Sequence, residues 1–416
     1  MKVSCRAGLL KPLSLLALVL LFTGLSAMPQ VSAAEPVKVG FLSSLSGVLA
    51  VIGEDMRDGF LLYMDQIGNK AAGREIKVIV EDIGSNEPGR ATQKGVSLIQ
   101  KDKIDVLAGV VDSGSAQALA RLAEKSEIPF VITNAGTDEL TQHRATDWIV
   151  RCSFSNSQAN HLLGEWAYEK GYRRAVVTGS DFIAGYQHVG GFCRTFTKAG
   201  GKIIQEIWAP LGTQDFSPFL TNINPEADVV MAFYPGADAL RFVTQYAESG
   251  LKEKIPLIGP SMLVDDSILP KQGKAAEGIV NVMHWCLLLD TPENREFKEA
   301  YAKKYGRKPS LYSEQGYIGA KMIAEALTKT KGEAKGKDFV KAMRGLEIKA
   351  PRGDIKFDES GQTIQTYHLQ KVEIKDGVPQ NVVFQSVPAV SQFWKWTRDE
   401  FLKMPPYSDL KGEWAK

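Results

Sequence analysis

From Val37 onward the chain alternates short apolar runs with amphipathic stretches, and it goes through this alternation twice. In the first pass, residues 37–42, 76–80, 106–110 and 130–133 read as buried strands. Between them, a helix is expected from about Glu54, with Met56, Phe60, Tyr63, Met64 and Ile67 on one face. Amphipathic helices are also expected over 90–100 and 116–125. The second pass opens on a helical stripe of Ala159, Leu162, Leu163, Trp166 and Ala167, with Asn156 or Ser155 as its cap. Strands are expected over 175–178, 203–208, 229–233 and 257–259, with helices over 187–198 and 237–249. Two more helices, 293–305 and 311–329, follow. Short apolar strands alternating with helices specify parallel sheets covered on both faces. The fold class is therefore α/β, as two Rossmann-like lobes with parallel-rich sheets. At 416 residues the chain is long enough to give each lobe its own core.

The N-terminus has a different character. Lys2, Arg6 and Lys11 precede an apolar run over 13–25, and Ser32-Ala33-Ala34 follows. That order predicts a cleaved secretory signal peptide over 1–34. The run is shorter than the ~18–20 residues that a bilayer span needs. The expected product is a soluble, periplasmic mature chain beginning near Ala34 or Glu35. The 50 Lys and Arg against 48 Asp and Glu give +2, and without the three leader cations the balance is −1. A near-neutral surface gives no electrostatic reason to bind nucleic acid or anionic lipid. Cys152, Cys193 and Cys286 remain after export, without zinc-site spacing. They read as buried thiols, with a Cys152–Cys193 bridge left open.

In open α/β sheets, solutes sit beyond the carboxyl ends of strands, beside helix N-termini. Two turns occupy such places. Asp112-Ser113-Gly114-Ser115 lies between the strand 106–110 and a helix expected to start near Ala116. It offers hydroxyls, free N–H groups and the positive end of a helix dipole, for which a carboxylate is the natural guest. Asn134-Ala135-Gly136-Thr137 directly follows the strand 130–133.

The segments VGFLSSLSG (39–47), GVVDSGSAQAL (109–119), IPFVITNAGTDELTQ (128–142) and IPLIGPS (255–261) resemble, in order and spacing, the leucine/isoleucine/valine-binding family. These are the type I periplasmic receptors of ABC transporters. The resemblance implies a carboxylate clamp made by Ser113 and by Ala135 with Thr137. It also implies a three-crossing hinge near Arg151, Val280 and residues 346–351. The lobes would then be 35–150 plus about 281–346, and 151–280 plus about 347–386, with helices 293–329 returning to the first. A monomer, an inner-membrane ABC permease as partner and no cofactor are implied as well.

Where this chain departs from the family pattern, the expected solute changes. Ser261, not an acid, follows Gly259-Pro260, where the amino-acid receptors carry the partner of the ligand ammonium. Ile52 and Ala184 stand at positions of family tyrosines, so the space must be filled by solute or by Phe182, Tyr186, Phe233 or Tyr234. An aromatic or bulky hydrophobic acid is expected, as in the aromatic-acid-binding branch of the family, unless Asp181, Asp265 or Asp266 restores the negative charge. A branched-chain or other hydrophobic amino acid, or an amide, is the alternative solute.

Enzyme signatures are missing from this sequence. There is no Walker A loop, no H-E-x-x-H helix and no Cys-x-x-Cys pair, and Leu263 stands where a nucleophile elbow needs glycine. The five histidines are scattered without ligand spacing. The segment 387–416 gathers Phe393, Trp394, Trp396, Phe401, Tyr407 and Trp414 around Pro405-Pro406. It reads as a wrapping tail on one lobe, or as a docking surface for a partner.

Overall fold

The computed structural model describes residues 1–5, 8 and 35–416. Apart from 1–5 and 8, the expected signal segment lies outside the described residues. Met1–Glu35 and Pro36–Lys416 form separate contact units, and the architecture below is that of the second.

In chain order the first half runs β1 (Val37–Ser43), α1 (Ala50–Gln66), β2 (Lys70–Ala71), β3 (Arg74–Asp82), α2 (Pro88–Ser97), β4 (Val106–Gly109), α3 (Ser113–Lys125), β5 (Phe130–Ile132) and β6 (Ile149–Arg151). The six strands form one sheet in the order β2-β3-β1-β4-β5-β6, parallel except for β2 against β3. Its middle strands are buried on both faces, which is why they read as continuous apolar runs.

The second half begins with α4 (Gln158–Glu169), β7 (Arg174–Ser180), α5 (Ile183–Lys198), β8 (Lys202–Ala209), α6 (Ser217–Leu220), β9 (Val229–Phe233), α7 (Gly236–Glu248), β10 (Leu257–Pro260), α8 (Leu269–Gln272) and β11 (Val280–Met283). Next come α9 (Pro292–Tyr305), α10 (Leu311–Lys329) and α11 (Gly336–Arg344). The chain ends with β12 (Ile348–Ala350), β13 (Gly353–Phe357), β14 (Thr363–Lys375), β15 (Val378–Val390) and α12 (Arg398–Leu402). The second sheet runs β12-β13-β14-β11-β10-β9-β7-β8, with β15 paired to β14. β7 to β11 are parallel, and the later strands join them antiparallel.

The two mostly parallel sheets match the expected α/β architecture. The helices, however, begin earlier than the sequence pattern suggested. α1 starts at Ala50 and α3 at Ser113, and the Ser-Gly-Ser stretch read as a turn is the first turn of the helix. Asp112 is the reason: its carboxylate accepts from the N–H of Ser115 at 2.7 Å and caps the helix there. β11 pairs with both β10 and β14, so the chain leaves the second sheet after Met283, later than the expected Val280.

α10 lies back against α1 in the first lobe, at a crossing that only glycine permits. A Cβ on Gly59 would stand 1.8 Å from the carbonyl oxygen of Ser313, and one on Gly316 would stand 1.9 Å from that of Met56. Arg307 adds ion pairs to Asp55 and Asp58 across the same contact. The buried Arg352 side chain, on the β12–β13 turn, pairs with Glu314 of α10 at 2.8 Å and donates to the carbonyl of Cys152, just after β6.

The tail does more than fill grooves on one lobe. Gln392 exchanges hydrogen bonds with Thr141, Ser408 donates to Glu139 at 2.7 Å, and His143 meets the carbonyl of Leu402. All three partners lie on the β5–β6 connection of the first sheet. On the second lobe, Trp394 donates to Glu165, Arg194 donates to the carbonyl of Pro405, and His161 meets the Tyr407 hydroxyl at 2.5 Å. Cys152, Cys193 and Cys286 are buried and unpaired.

Candidate functional site

The turn after β4 builds the first wall. Val110 sits at φ 73°, a left-handed conformation that costs a β-branched residue about 1–3 kcal/mol. It is held there from two sides: its N–H donates to Leu42 and its carbonyl accepts from Ala135. This kink delivers Asp112 and Ser113 to the head of α3. Burial raises the Asp112 carboxyl above its usual range. The Ser113 hydroxyl oxygen accepts from the Asn156 amide at 3.2 Å, which leaves its own proton to give.

The turn after β5 completes that wall. Asn134 donates to Gln315 at 2.6 Å, and the Gly136 carbonyl accepts from Asn156 N–H at 2.7 Å. A Cβ on Gly136 would lie 2.2 Å from Asn156 Oδ1 and 2.6 Å from Phe154 Cε2, so the close approach requires glycine. The buried Arg151 fastens the turn from behind, donating to the carbonyls of Ala135 and Thr137 at 3.3 and 2.7 Å.

The opposing wall comes from the second lobe. Phe182 caps the start of α5, Ala184 and His188 follow one turn apart on the same face, and Phe233 ends β9. His188 stacks on Phe233 with ring centroids 4.0 Å apart and planes 14° off parallel. Burial depresses its imidazole to about 3, so the ring is neutral. Met262 and Tyr312 close the space, and the Tyr312 hydroxyl has no hydrogen-bond partner among the described residues. The walls close on a space of about 40 Å³, well below the range of small-molecule sites.

Of the residues singled out from sequence, Ser113, Gly136, Ile52, Phe182, Ala184 and Phe233 line this cavity. Four others do not. Ala135 lies behind the wall, its N–H given to Val110. The Thr137 hydroxyl donates to Glu139 at 3.0 Å and accepts from Gln117, so it is committed away from the cavity. Tyr234 turns to the far side of its sheet, bonded to Thr178 at 2.5 Å and packed on Phe242. Ser261 donates to Asn281 at 2.5 Å.

The three acids considered as ammonium partners are also engaged elsewhere. Asp181 accepts from Tyr186 and Lys411 of the tail. Asp265 accepts from the N–H groups of Ser267 and Leu311, and Asp266 from that of Leu287. Burial pushes these two carboxyls up to about 6 and about 7. Asp112 is the only carboxylate lining the cavity among the described residues.

Sequence reasoning missed Asn156 as a lining residue, having read it as a helix cap, and did not single out His188 among the five scattered histidines. The one signal for His188 was its spacing of one helical turn from Ala184.

A sequence profile of the periplasmic binding protein family matches residues 36–378. The fold is similar to that of an ABC transporter substrate-binding protein from Sphaerobacter thermophilus, at 38% identity and a TM-score of 0.81, covering 86% of this chain and 99% of that one. It is also similar to a solute-binding protein of an ABC transporter from Rhodopseudomonas palustris BisB5, solved in complex with 3,4-dihydroxy benzoic acid. That likeness has 34% identity and a TM-score of 0.82, covering 86% of this chain and 98% of the other. Leu/Ile/Val-binding protein homolog 6 of Brucella melitensis is 31% identical over 360 residues, which are 85% of this chain and 92% of that protein.

Proposed function

The chain belongs to the periplasmic binding protein family, as a solute-binding protein of ABC transporters, and on that premise we propose that its solute is a small aromatic carboxylate. The family is one of non-catalytic binding proteins. The observation that carries the reading is the contrast between the cavity walls. One presents a hydroxyl donor at the positive end of a helix dipole, where an anion is stabilised. The other presents Phe182, Phe233 and neutral His188 and has no carboxylate to meet an ammonium. An unpaired ammonium buried against such a surface is costly, while an aromatic ring packs well on it.

In this reading the carboxylate docks on Ser113 first, and closure of the lobes brings the aromatic wall over the ring. The leader exports the chain, which works in the periplasm and presents its closed form to an ABC permease of the inner membrane. Among the described residues no helix is long and apolar enough to cross a membrane.

Calorimetric titration with benzoate, 3,4-dihydroxybenzoate, leucine and a dicarboxylate tests the proposal. Tight binding of an aromatic acid with no heat from leucine is expected. Tight leucine binding with silence from the aromatic acids would sink it. The same titration decides the second reading, a hydrophobic amino acid, which the Asp112 carboxylate in the first wall favours.

A further inference from the structure

The second wall is almost wholly apolar, and its exception is His188. The orientation and tautomer of this ring can be read from its neighbours. The Asn160 side-chain nitrogen lies 2.8 Å from the backbone carbonyl of Asn156 and 2.8 Å from His188 Nδ1. A carbonyl oxygen only accepts, so the Asn160 atom facing it must be the NH2 group, and the amide flip is settled. That same NH2 therefore donates to Nδ1, which must be the unprotonated nitrogen. In a neutral ring the proton is then on Nε2.

The stack on Phe233 fixes the plane of the ring, and Asn160 fixes its rotation within that plane. Nε2 lies on the side of the imidazole away from Asn160, and the one hydrogen bond this ring makes among the described residues is at Nδ1. Asn160 is not part of the cavity lining, whereas His188 is. An N–H left without an acceptor is unfavourable, and the cavity that His188 lines is where the proposed solute would sit.

We propose that His188 is a specificity-determining residue, donating its Nε2–H to an oxygen substituent on the ring of the bound aromatic acid. This rests on the aromatic-acid reading above. Ser113 holds the carboxylate from the first lobe, and His188 meets a hydroxyl or alkoxy oxygen from the second. An acid with no such oxygen leaves the N–H unpaired, so the site discriminates against it. A site built around a polar contact rejects the analogue lacking it more strongly than an apolar pocket rejects a size change.

The test uses the full mature protein with benzoate, 3-hydroxybenzoate and 4-hydroxybenzoate as probes, titrated into the wild type and into His188→Phe. The phenylalanine keeps a flat ring over Phe233 and removes the donor. The wild type is expected to prefer at least one hydroxybenzoate over benzoate by about tenfold, the value of one well-made neutral hydrogen bond. In His188→Phe that ratio falls toward one, whatever happens to the benzoate affinity itself. A ratio that survives the substitution, or a wild type that prefers benzoate, overturns the inference while leaving the aromatic-acid reading intact. A wild type that binds leucine and none of the three acids brings down that reading and the inference together. Should the variant not fold, nitrogen-15 spectra of the wild-type histidine rings decide. An unprotonated Nδ1 and an Nε2–H signal that moves with a hydroxybenzoate but not with benzoate support the proposal. The opposite tautomer refutes it.

Discussion

The two walls of the cavity are made of different material. The first is built from turns, whose polar groups are set by backbone: a kinked Val110, a glycine with no room for a side chain, and an arginine fastening two carbonyls. The second is built from rings and a methyl group at α5 and β9, placed by packing and, for His188, by one hydrogen bond from Asn160. The contrast suggests a division of labour. A charge needs donors at fixed positions, so the scaffold that holds it is rigid. The rest of a solute is selected by shape, and side chains on a regular helix and strand can be exchanged without disturbing the backbone.

Substitutions on either side test that division. Gly136→Ala should do the most damage, because the added Cβ must displace Phe154 and Asn156, and Asn156 donates to Ser113. Overpacking of this kind costs about 1–3 kcal/mol of stability. Thermal unfolding should show that loss, and calorimetry should show solute affinity falling below that of every variant named here. Normal affinity in this variant would mean that the first wall is not rigidly set. Ser113→Ala, read by the same titration, should weaken carboxylate binding by about 1.5–3 kcal/mol with stability nearly unchanged. Phe233→Leu removes the ring under His188 and should weaken an aromatic acid by about 0.5–1.5 kcal/mol. If Phe233→Leu proved more harmful than Ser113→Ala, the roles assigned to the walls would have to be exchanged.

The smallest effect separates the walls by titration. Asp138, behind the first wall, is pushed up to about 7 by burial and then by Glu139, whereas His188 stays neutral across the physiological range. A carboxyl whose folded pKa is raised contributes stability that is full below its unfolded value near 3.8 and is lost as pH rises through about 7. Melting temperature should therefore fall between pH 5 and pH 8, with a shallower fall in Asp138→Asn. Identical slopes for the two proteins would remove Asp138 from the explanation. Asp265 and Asp266 act in the same direction, so the difference between the slopes is the informative quantity.

The parallel strands were legible because burial on both faces writes them as unbroken apolar runs, and 229–233 was placed to the residue. The β14–β15 hairpin was not, although Asp376-Gly377 at its tip is a strong turn signal, with φ of 52° and 77°. Its buried positions include Gln365 and Gln370, which donate to the carbonyls of Ser153 and Trp285, and Asn381, which accepts from Asn281, so polar residues interrupt the apolar alternation. The first wall was partly readable, since a Ser-Gly stretch that opens a helix after a strand has local chemistry. The commitment of Thr137 to Glu139 depends on how the turn folds back, which its sequence does not specify. His188 was hard to read beyond its spacing from Ala184, for a further reason. A histidine on the buried face of a helix looks the same whether it meets core or cavity, and only the apposition of two lobes tells them apart.

The segment after Val390 touches the β5–β6 connection on one side and α4 and α5 on the other. Any swing that parts the sheets must strip it from one of these footholds or stretch the slack between them. If the proposed closure of the lobes operates, this segment would be the strap whose length bounds their separation.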